Sequence, residues 1–305
     1  IGEMDTVVND TNCTTTNMSR DATPAVNGFP DCLREIARRD LGETDDAKRQ
    51  ALQELRKLIA GEPLLHCSTE EDFLIMFLRA RKYDALRAFK NIKALLEVKR
   101  DNPEMFNALG PQHVPLDATC RKHRLITVSR GRDIEGRHTV LLKLGAWNTD
   151  ICSLTDFFKV GLVSCLTLLH REEAQIRGNV IILDMNGLGP YHILHYTPPV
   201  IQKYITLVQD CCPMRIKGVY VINHPAIFTA IFAVAKPFMK SKLVKRIRLL
   251  GYDVGKLRGL VPDDLIPEKY GGTHESYDCD EEEMEMKSMQ AFFEEFKSYT
   301  YERQR

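Results

Sequence analysis

Two short apolar runs in the second half of the chain constrain the fold more than any other feature. Residues 180–183 and 218–222 are rich in Val and Ile, and each has the length of a buried strand. A helical pattern at 198–210 separates them, and two parallel strands need a crossover connection of that kind. The alternation of buried strands with helices predicts an α/β fold with a mostly parallel sheet.

The preceding segment extends the same sheet. Residues 125–129 and 139–144 are predicted strands, and the polar, Gly-containing stretch between them predicts a hairpin with a loop longer than a tight turn. A long amphipathic helix is expected over 154–174. The sheet should therefore begin with an antiparallel pair.

The N-terminal third is dominated by helical patterns. Thr44 and Asp84 are predicted helix N-caps, and Ser68 with Glu71 has the spacing of a capping box. The pattern ends near Pro103. We therefore expect a disordered tail at 1–29, an N-terminal helical domain at 30–110, an α/β domain at 111–275 and an acidic C-terminal tail with a possible helix at 276–305.

Composition and cysteine spacing restrict the class of protein. No apolar run in the 305 residues approaches the ~20 needed to span a bilayer, and the N-terminus lacks the pattern of a secretory signal. The nine cysteines are an odd number without C-x-x-C spacing, which favours free thiols in a reducing compartment. We expect a cytoplasmic protein.

Motifs that suggest catalysis fail on their spacing. A glycine-containing stretch follows the run at 180–183, but His192 stands where a dinucleotide fingerprint requires its third glycine. His192 and His195, with His170 upstream, lack a carboxylate at metal-ligand spacing. Ser164 has no G-x-S-x-G motif around it. We expect no enzyme, no metal and no cofactor.

The stretch 219–251 joins a strand pattern to a short apolar helix at 226–235 and then to a cluster of cations. Six Lys and Arg residues and no carboxylate lie between 236 and 248, although the whole chain has a net charge of +0. A helix over 239–250 would place Lys242 and Arg246 one turn apart on an accessible flank. An apolar segment beside unopposed cations is typical of a protein that works at an anionic membrane. No aromatic residues that would read bases are interleaved with these cations, so we expect no nucleic-acid partner.

Five motifs carry a resemblance to a known family. They occur in order and at family-like spacing over about 45–272, as FLRARKYD at 77–84, VIILD at 180–184, INHPAIF at 222–228, KPF at 236–238 and LIPEKYGG at 265–272. On these motifs the chain resembles the CRAL-TRIO lipid-binding family, in the branch of α-tocopherol transfer protein, clavesin and cellular retinaldehyde-binding protein. The resemblance implies that 111–275 is a CRAL-TRIO-like domain whose sheet floors an apolar lipid cavity.

The resemblance also implies which residues meet the lipid. The implied pocket residues are Phe158, Gly161, Cys165, Leu183, Tyr204, Leu207, Val208, Cys212, Val219, Ile227 and Phe228. The segment after Pro225 matches a mobile gate, whose implied residues are Ile227, Phe228, Ile231, Phe232 and Val234. In tocopherol-binding members, small hydroxyl residues stand at the positions of Gly161 and Cys165. Their absence here implies a drier pocket and argues against tocopherol itself as the ligand.

A second group of residues is implied to bind phosphoinositide head groups. Its members are Arg79, Arg81, Arg215, Lys217, Lys242 and Arg246. Near an anionic leaflet each cation contributes on the order of 1 kcal/mol, which gives reversible attachment. The acidic tail after Glu275 is a candidate for masking this group when no membrane is near.

These expectations describe a carrier of an isoprenoid-, tocopherol- or retinoid-like lipid that associates reversibly with phosphoinositide-containing membranes, including endosomal ones. The partners implied are the lipid and the membrane, with protein partners left open. Two alternatives stay open at this point. One is a lipid-sensing module in membrane trafficking, and the other is a glycerophospholipid exchanger.

Overall fold

A five-stranded sheet lies at the centre of the computed structural model, which describes residues 31–303. The strands of the protein are β1 (Leu65–His66), β2 (Ile126–Val128), β3 (His138–Lys143), β4 (Asn179–Asp184), β5 (Ile216–Ile222), β6 (Ile247–Gly251) and β7 (Thr300–Tyr301). The central sheet has the order β2-β3-β4-β5-β6, and β1 pairs with β7 in a second, two-stranded sheet. The predicted disordered tail at 1–29 lies outside the described residues.

The helices cover this sheet and form the N-terminal third. They are α1 (Asp31–Leu41), α2 (Asp45–Ala60), α3 (Glu71–Ala80), α4 (Ala85–Asp101), α5 (Pro103–Phe106), α6 (Leu154–Leu168), α7 (Glu172–Arg177), α8 (Pro190–His195), α9 (Pro198–Thr206), α10 (Ala226–Ala235), α11 (Ser241–Val244), α12 (Asp280–Ser288) and α13 (Gln290–Ser298). A π-helical turn, Leu207–Cys211, continues α9. None of the helices within 31–303 is both long enough and apolar enough to cross a bilayer.

The pairing of the strands confirms the predicted fold class. β2 and β3 are antiparallel, whereas β3, β4, β5 and β6 are parallel to one another. Alternate residues of β4 point to opposite faces, as the twofold period of a strand requires. Val180 and Ile182 pack with Val254 and Leu257 beneath the sheet, whereas Ile181 and its neighbours face a cavity on the other side.

Two of the family-like motifs have identifiable structural roles. The amide of Asn223 donates a hydrogen bond to Asp184 Oδ1 at 2.9 Å, which ties the end of β5 to the end of β4. Asn223 has a φ of 52°, a backbone conformation that Asn tolerates better than most residues. A Cβ at Gly272 would lie 2.0 Å from the carbonyl oxygen of Ile266, so the second glycine of LIPEKYGG is required for close packing.

The segment 239–250 differs from its predicted single helix. Only the one-turn helix α11 forms, and the chain then enters β6, which pairs in parallel with β5 from Val219 to Ile222. The apolar spacing at Met239, Leu243 and Ile247 fits a helix. Backbone pairing with an otherwise open sheet edge outweighs that local preference, as tertiary context commonly does.

Two of the three predicted caps of the N-terminal helices are confirmed. Thr44 Oγ1 accepts a hydrogen bond from the amide of Ala47 at 3.1 Å, and Asp84 Oδ1 accepts one from the amide of Arg87 at 2.9 Å. The capping box at Ser68 is wrong, because α3 begins two residues later than its spacing requires and Ser68 Oγ accepts from the amide of Glu70. These helices share one hydrophobic core with α6 and α13.

The C-terminal segment packs onto the protein and does not cover the cations at 236–248. Its carboxylates pair with arginines elsewhere, including Glu283 with Arg121 at 2.7 Å and Glu281 with Arg130 at 3.3 Å. Phe293 on α13 is buried in the main core. The masking hypothesis is therefore not supported by the placement of these side chains.

Candidate functional site: an apolar cavity beside a basic cleft

An apolar cavity lies between the sheet and the helices above it. It has an outer chamber of about 250 Å³ and an inner chamber of about 130 Å³. Both chambers share wall residues from β3, β4, α6 and the α9 region, namely Leu142, Phe158, Ile181, Tyr204 and Val208. Together the chambers reach the range of roughly 300–1,000 Å³ that is typical of small-molecule sites.

Secondary structure explains why these walls are apolar. The upward residues of β4 and β5, including Leu183, Val219 and Val221, form the floor of the outer chamber. The helix α6 begins at its N-cap Ser153, whose hydroxyl accepts a hydrogen bond from the amide of Asp156 at 3.0 Å. This helix then presents Phe158, Gly161 and Cys165 to the inner chamber.

The structure brings most of the implied pocket residues to these walls. Those that line a chamber are Phe158, Gly161, Cys165, Leu183, Tyr204, Leu207, Val208, Cys212, Val219 and Phe228. Ile227 lines neither chamber and packs instead on the neighbouring cluster that contains Met185 and Leu188. Its side chain leaves the cavity because successive residues of a helix point about 100° apart.

The helix α10 covers the outer chamber and reaches solvent on its other side. Phe228, Ile231, Phe232 and Ala235 line the chamber. Val234 is 41% exposed. We call 226–235 the gate helix, in keeping with the role that the family resemblance implies. It is apolar around most of its circumference, with Thr229 as the one polar residue, so both of its faces suit a lipid environment.

The C-terminal end of the gate helix is fastened to the residues after α9. The side-chain amide of Gln209 donates to the carbonyl oxygen of Phe238 at 2.9 Å and accepts from the amide of Lys240 at 3.0 Å. Lys240 also forms an ion pair with Asp210. We call these contacts among Gln209, Asp210, Phe238 and Lys240 the latch.

A large basic cleft, of about 1120 Å³, adjoins the cavity. Within the described part of the chain, ten Lys and Arg side chains line it, against three carboxylates. The cations are Arg39, Arg81, Lys82, Arg87, Lys90, Arg215, Lys217, Lys240, Lys242 and Arg246. Val208, Ile216 and Leu243 line both the cleft and the outer chamber, so the two sites share a wall.

The cations of the cleft repel one another. Burial, followed by repulsion from Arg246, Lys82 and Arg81, lowers the pKa of the Lys242 amine. Burial and then Arg215 lower the pKa of Lys217, although Asp40 opposes that shift from 3.8 Å. A lowered pKa means that the charged form is disfavoured where it stands. An anion in the cleft would relieve this cost.

Two cations of the cleft also have structural contacts. A guanidinium nitrogen of Arg246 donates to the carbonyl oxygen of Ile216, and one of Arg215 donates to that of Ile176. Lys242 and Arg81 form no ion pair with any carboxylate in 31–303. Lys82 lies in the cleft with a φ of 55°, a conformation uncommon for a residue with a side chain.

Arg79 does not belong to the cleft. Its side chain is 2% exposed and forms ion pairs with Glu43 at 2.8 Å and Glu172 at 3.0 Å. It also donates to Gln175 Oε1 at 2.8 Å. Arg79 therefore connects α3 to α7 and to the loop before α2, and its place among the head-group residues was a wrong prediction.

The structure adds five cations that the sequence left out of this group. Arg39, Lys82, Arg87, Lys90 and Lys240 come from α1, from the turn after α3, from α4 and from the segment before α11. Arg87 and Lys90 are three residues apart on a helix, which places them on one face. That spacing was visible in the sequence, but which helix face meets the cleft was not.

The histidines that were considered as metal ligands have other roles. His192 Nδ1 accepts a hydrogen bond from the amide of Gly189 at 3.1 Å, and its Nε2 lies 3.0 Å from the carbonyl oxygen of Trp147. His195 packs edge-on against the Trp147 ring. These contacts fix the corner between β4 and α9.

Comparison with known proteins places the chain in a family. The model of the CRAL/TRIO domain matches residues 122–272. Alpha-tocopherol transfer protein-like of Homo sapiens is 34% identical over 238 residues, which are 78% of this chain and 69% of that protein. Clavesin-1 of Rattus norvegicus is 32% identical over 254 residues, which are 82% of this chain and 70% of that protein. The chain belongs to the CRAL-TRIO lipid-binding family, as its motifs predict.

A solved structure supports the same fold. The crystal structure of Sfh5 superposes with a TM-score of 0.51 over 88% of this chain and 99% of that chain, at 12% sequence identity. At such low identity the likeness concerns the fold alone. It agrees with a helical N-terminal region followed by a mostly parallel sheet.

Proposed function

We propose that this chain is a cytoplasmic carrier of an isoprenoid-, tocopherol- or retinoid-like lipid that docks reversibly on phosphoinositide-containing membranes and exchanges its ligand through the gate helix. The observation that carries the proposal is the wall shared by the apolar cavity and the basic cleft, formed by Val208, Ile216 and Leu243. A head group bound in the cleft would hold the cavity mouth against the bilayer.

The energetics of the ligand explain why the cavity must close and open. A lipid with ~500 Å² of apolar surface gains on the order of 12 kcal/mol when that surface is removed from water. A carrier needs this enclosure during transit. It must also open at a membrane, because release into water would forfeit the same free energy.

Exposed apolar side chains on α8 and on the gate helix suit contact with a bilayer. On α8, which precedes the outer wall of the cavity, Leu194 is 76% exposed and Ile193 is 45% exposed. Val234 adds exposed apolar surface on the gate helix. Exposed apolar patches commonly mark sites of interaction with a protein or a membrane.

The latch would connect phosphate binding in the cleft to the position of the gate helix. Asp210 and Lys240 both line the cleft, and their ion pair holds the segment that follows the gate helix. A phosphate bound in the cleft would compete with Asp210 for Lys240. We propose that this competition loosens the gate helix where the membrane is present.

Lipid extraction from the purified full chain tests the proposal. We expect mass spectrometry of the extract to find an isoprenoid-like lipid in near-stoichiometric amount, either as purified or after incubation with a mixed lipid extract. Glycerophospholipid alone would favour the exchanger. A regulated protein partner that binds only the loaded form would favour the trafficking module. A chain that stays empty would contradict any carrier.

A further inference from the structure

Two cysteine thiols meet inside the inner chamber. The sulfur atoms of Cys165 and Cys212 lie 2.9 Å apart, and neither cysteine is in a disulfide. Cys165 lies on α6, and Cys212 directly follows the π-helical turn after α9. The pair therefore joins two walls of a chamber that is otherwise apolar apart from Ser164 and Tyr204.

The surroundings keep this pair away from reagents dissolved in water. No charged side chain of the described chain lines the inner chamber. The hydrogen bond from Cys212, together with burial, raises the pKa of the Cys165 thiol. A protonated thiol is a poor nucleophile toward any peroxide, because the thiolate is the reactive form. Reaction therefore depends on close positioning, and an apolar molecule that enters the cavity is held next to both sulfurs.

We propose that the Cys165–Cys212 pair reduces a lipid hydroperoxide bound in the cavity to the corresponding alcohol. This inference rests on the proposed function, since the hydroperoxide must bind as a lipid ligand does. The substrate is defined by chemistry, as an apolar chain that carries an –OOH group. The established family membership assigns no such activity to these residues.

The reaction balances with the groups present. One sulfur attacks the terminal oxygen of the hydroperoxide, the O–O bond breaks, and the thiol proton goes to the departing alkoxide, which leaves as the alcohol. The attacking cysteine becomes a sulfenic acid. The second sulfur then attacks it, the S–O bond breaks, and the released hydroxide takes the second thiol proton to form water. The hydroperoxide is reduced by two electrons, and the two thiols are oxidised to a disulfide.

The short distance between the two sulfur atoms favours formation of the disulfide, which is the second step of the reaction. A disulfide requires the two sulfurs to come within ~2.05 Å of each other, so the pair needs to close by less than about 1 Å. The product joins α6 to the end of the α9 region across the chamber. Each chain reduces one hydroperoxide and needs an external dithiol to return to its starting state.

The test uses the full chain, reduced and then freed of reductant. It is incubated separately with a fatty-acid hydroperoxide, with the matching fatty-acid alcohol and with hydrogen peroxide at equal concentration. We expect the hydroperoxide to give one alcohol per disulfide, with peptide mapping that joins Cys165 to Cys212. Because binding places the –OOH group beside the sulfurs, we expect disulfide formation about 10-fold faster than with hydrogen peroxide.

Variants identify the residues. Cys165→Ser and Cys212→Ser should each abolish the disulfide, and the variant that keeps the attacking sulfur should accumulate a sulfenic acid that dimedone labels. Cys211→Ser is the matched control, because Cys211 is adjacent in sequence but lines neither chamber. It should react as the wild type does.

Binding of the alcohol, measured by native mass spectrometry, separates the two proposals. If neither the alcohol nor the hydroperoxide binds, this inference is overturned, whereas the carrier function is decided by the lipid extraction described above. If the hydroperoxide binds and both thiols stay reduced, the inference is overturned and the carrier stands. Equal rates with hydrogen peroxide, or an unchanged disulfide yield in Cys165→Ser, would also overturn it.

Discussion

The cavity and the cleft share a wall but are built on opposite principles. The cavity is formed by apolar side chains that pack against one another. Val219 on its floor is a residue type that is equally common in an ordinary protein core. The cleft gathers cations, such as Lys242, whose charges are not matched by nearby carboxylates. A core needs no ligand to be stable, whereas an unmatched cluster of charge is costly until an anion arrives. The cleft is therefore the stronger indication of a binding function.

The largest expected effect comes from a substitution in the cavity that should weaken lipid binding without changing the cleft. Phe232→Glu places a carboxylate on the face of the gate helix that lines the outer chamber. Burying it beside apolar walls should weaken lipid binding by on the order of 100-fold. Titration with a fluorescent lipid measures this, and binding of a soluble inositol phosphate to the cleft should stay unchanged.

Ala233→Glu is the matched control on the same helix. Ala233 is exposed and lines neither chamber. This variant should keep the lipid affinity of the wild type while its binding to vesicles decreases. Equal loss of lipid binding in both variants would mean that the two faces of the gate helix do not have separate roles.

The second largest effect comes from substitutions in the cleft that should weaken vesicle binding without changing the cavity. Arg81→Ala combined with Lys242→Ala removes two cations that form no ion pair with a described carboxylate. At about 1 kcal/mol each, binding to phosphoinositide vesicles should weaken roughly 30-fold. Vesicle sedimentation measures this, and affinity for the lipid ligand should not change.

Arg49→Ala combined with Lys57→Ala removes the same charge from an exposed face of α2, outside the cleft. Vesicle binding should then fall much less. If both double variants lose the same affinity, net charge rather than the cleft attracts the protein to the membrane.

A smaller effect is expected at the latch. Asp210→Asn removes the ion pair with Lys240 but keeps the size of the side chain. An ion pair of this kind contributes about 0–1 kcal/mol, so ligand release should become faster by a few-fold and stability should change little. Stopped-flow measurement of lipid release would detect this, and an unchanged rate would remove the latch from the account.

The smallest effect concerns the inner chamber. A Cβ at Gly161 would meet only Ile126 Cδ1 at 3.8 Å, so a side chain fits there without strain. Gly161→Ala should raise the free energy of unfolding by about 0.5–1 kcal/mol, because glycine is unfavourable inside a helix. Gly161→Ser should shift ligand preference toward lipids with a hydroxyl group. Thermal unfolding and competition binding measure the two outcomes.

The sequence predicted the sheet better than the cleft, for physical reasons. Strand runs such as 180–183 and caps such as Thr44 are encoded by neighbouring residues. The cleft assembles Arg39, Arg87 and Arg246 from distant parts of the chain, so only the fold reveals their proximity. In the sequence, Arg79 is as plausible a head-group residue as Arg81. In the structure, Arg79 is buried and forms ion pairs with Glu43 and Glu172. The strand β6 was missed because its apolar spacing also fits a helix.

Ligand transfer between vesicles shows whether the cleft couples the membrane to the cavity. The rate at which the full chain moves a fluorescent lipid from donor to acceptor vesicles is measured with and without a phosphoinositide in the acceptor. We expect the phosphoinositide to accelerate transfer by the wild type and to leave Arg81→Ala/Lys242→Ala unaffected, although both bind the lipid equally. Equal acceleration of both proteins would contradict the account, because the cleft would then not couple the membrane to the cavity.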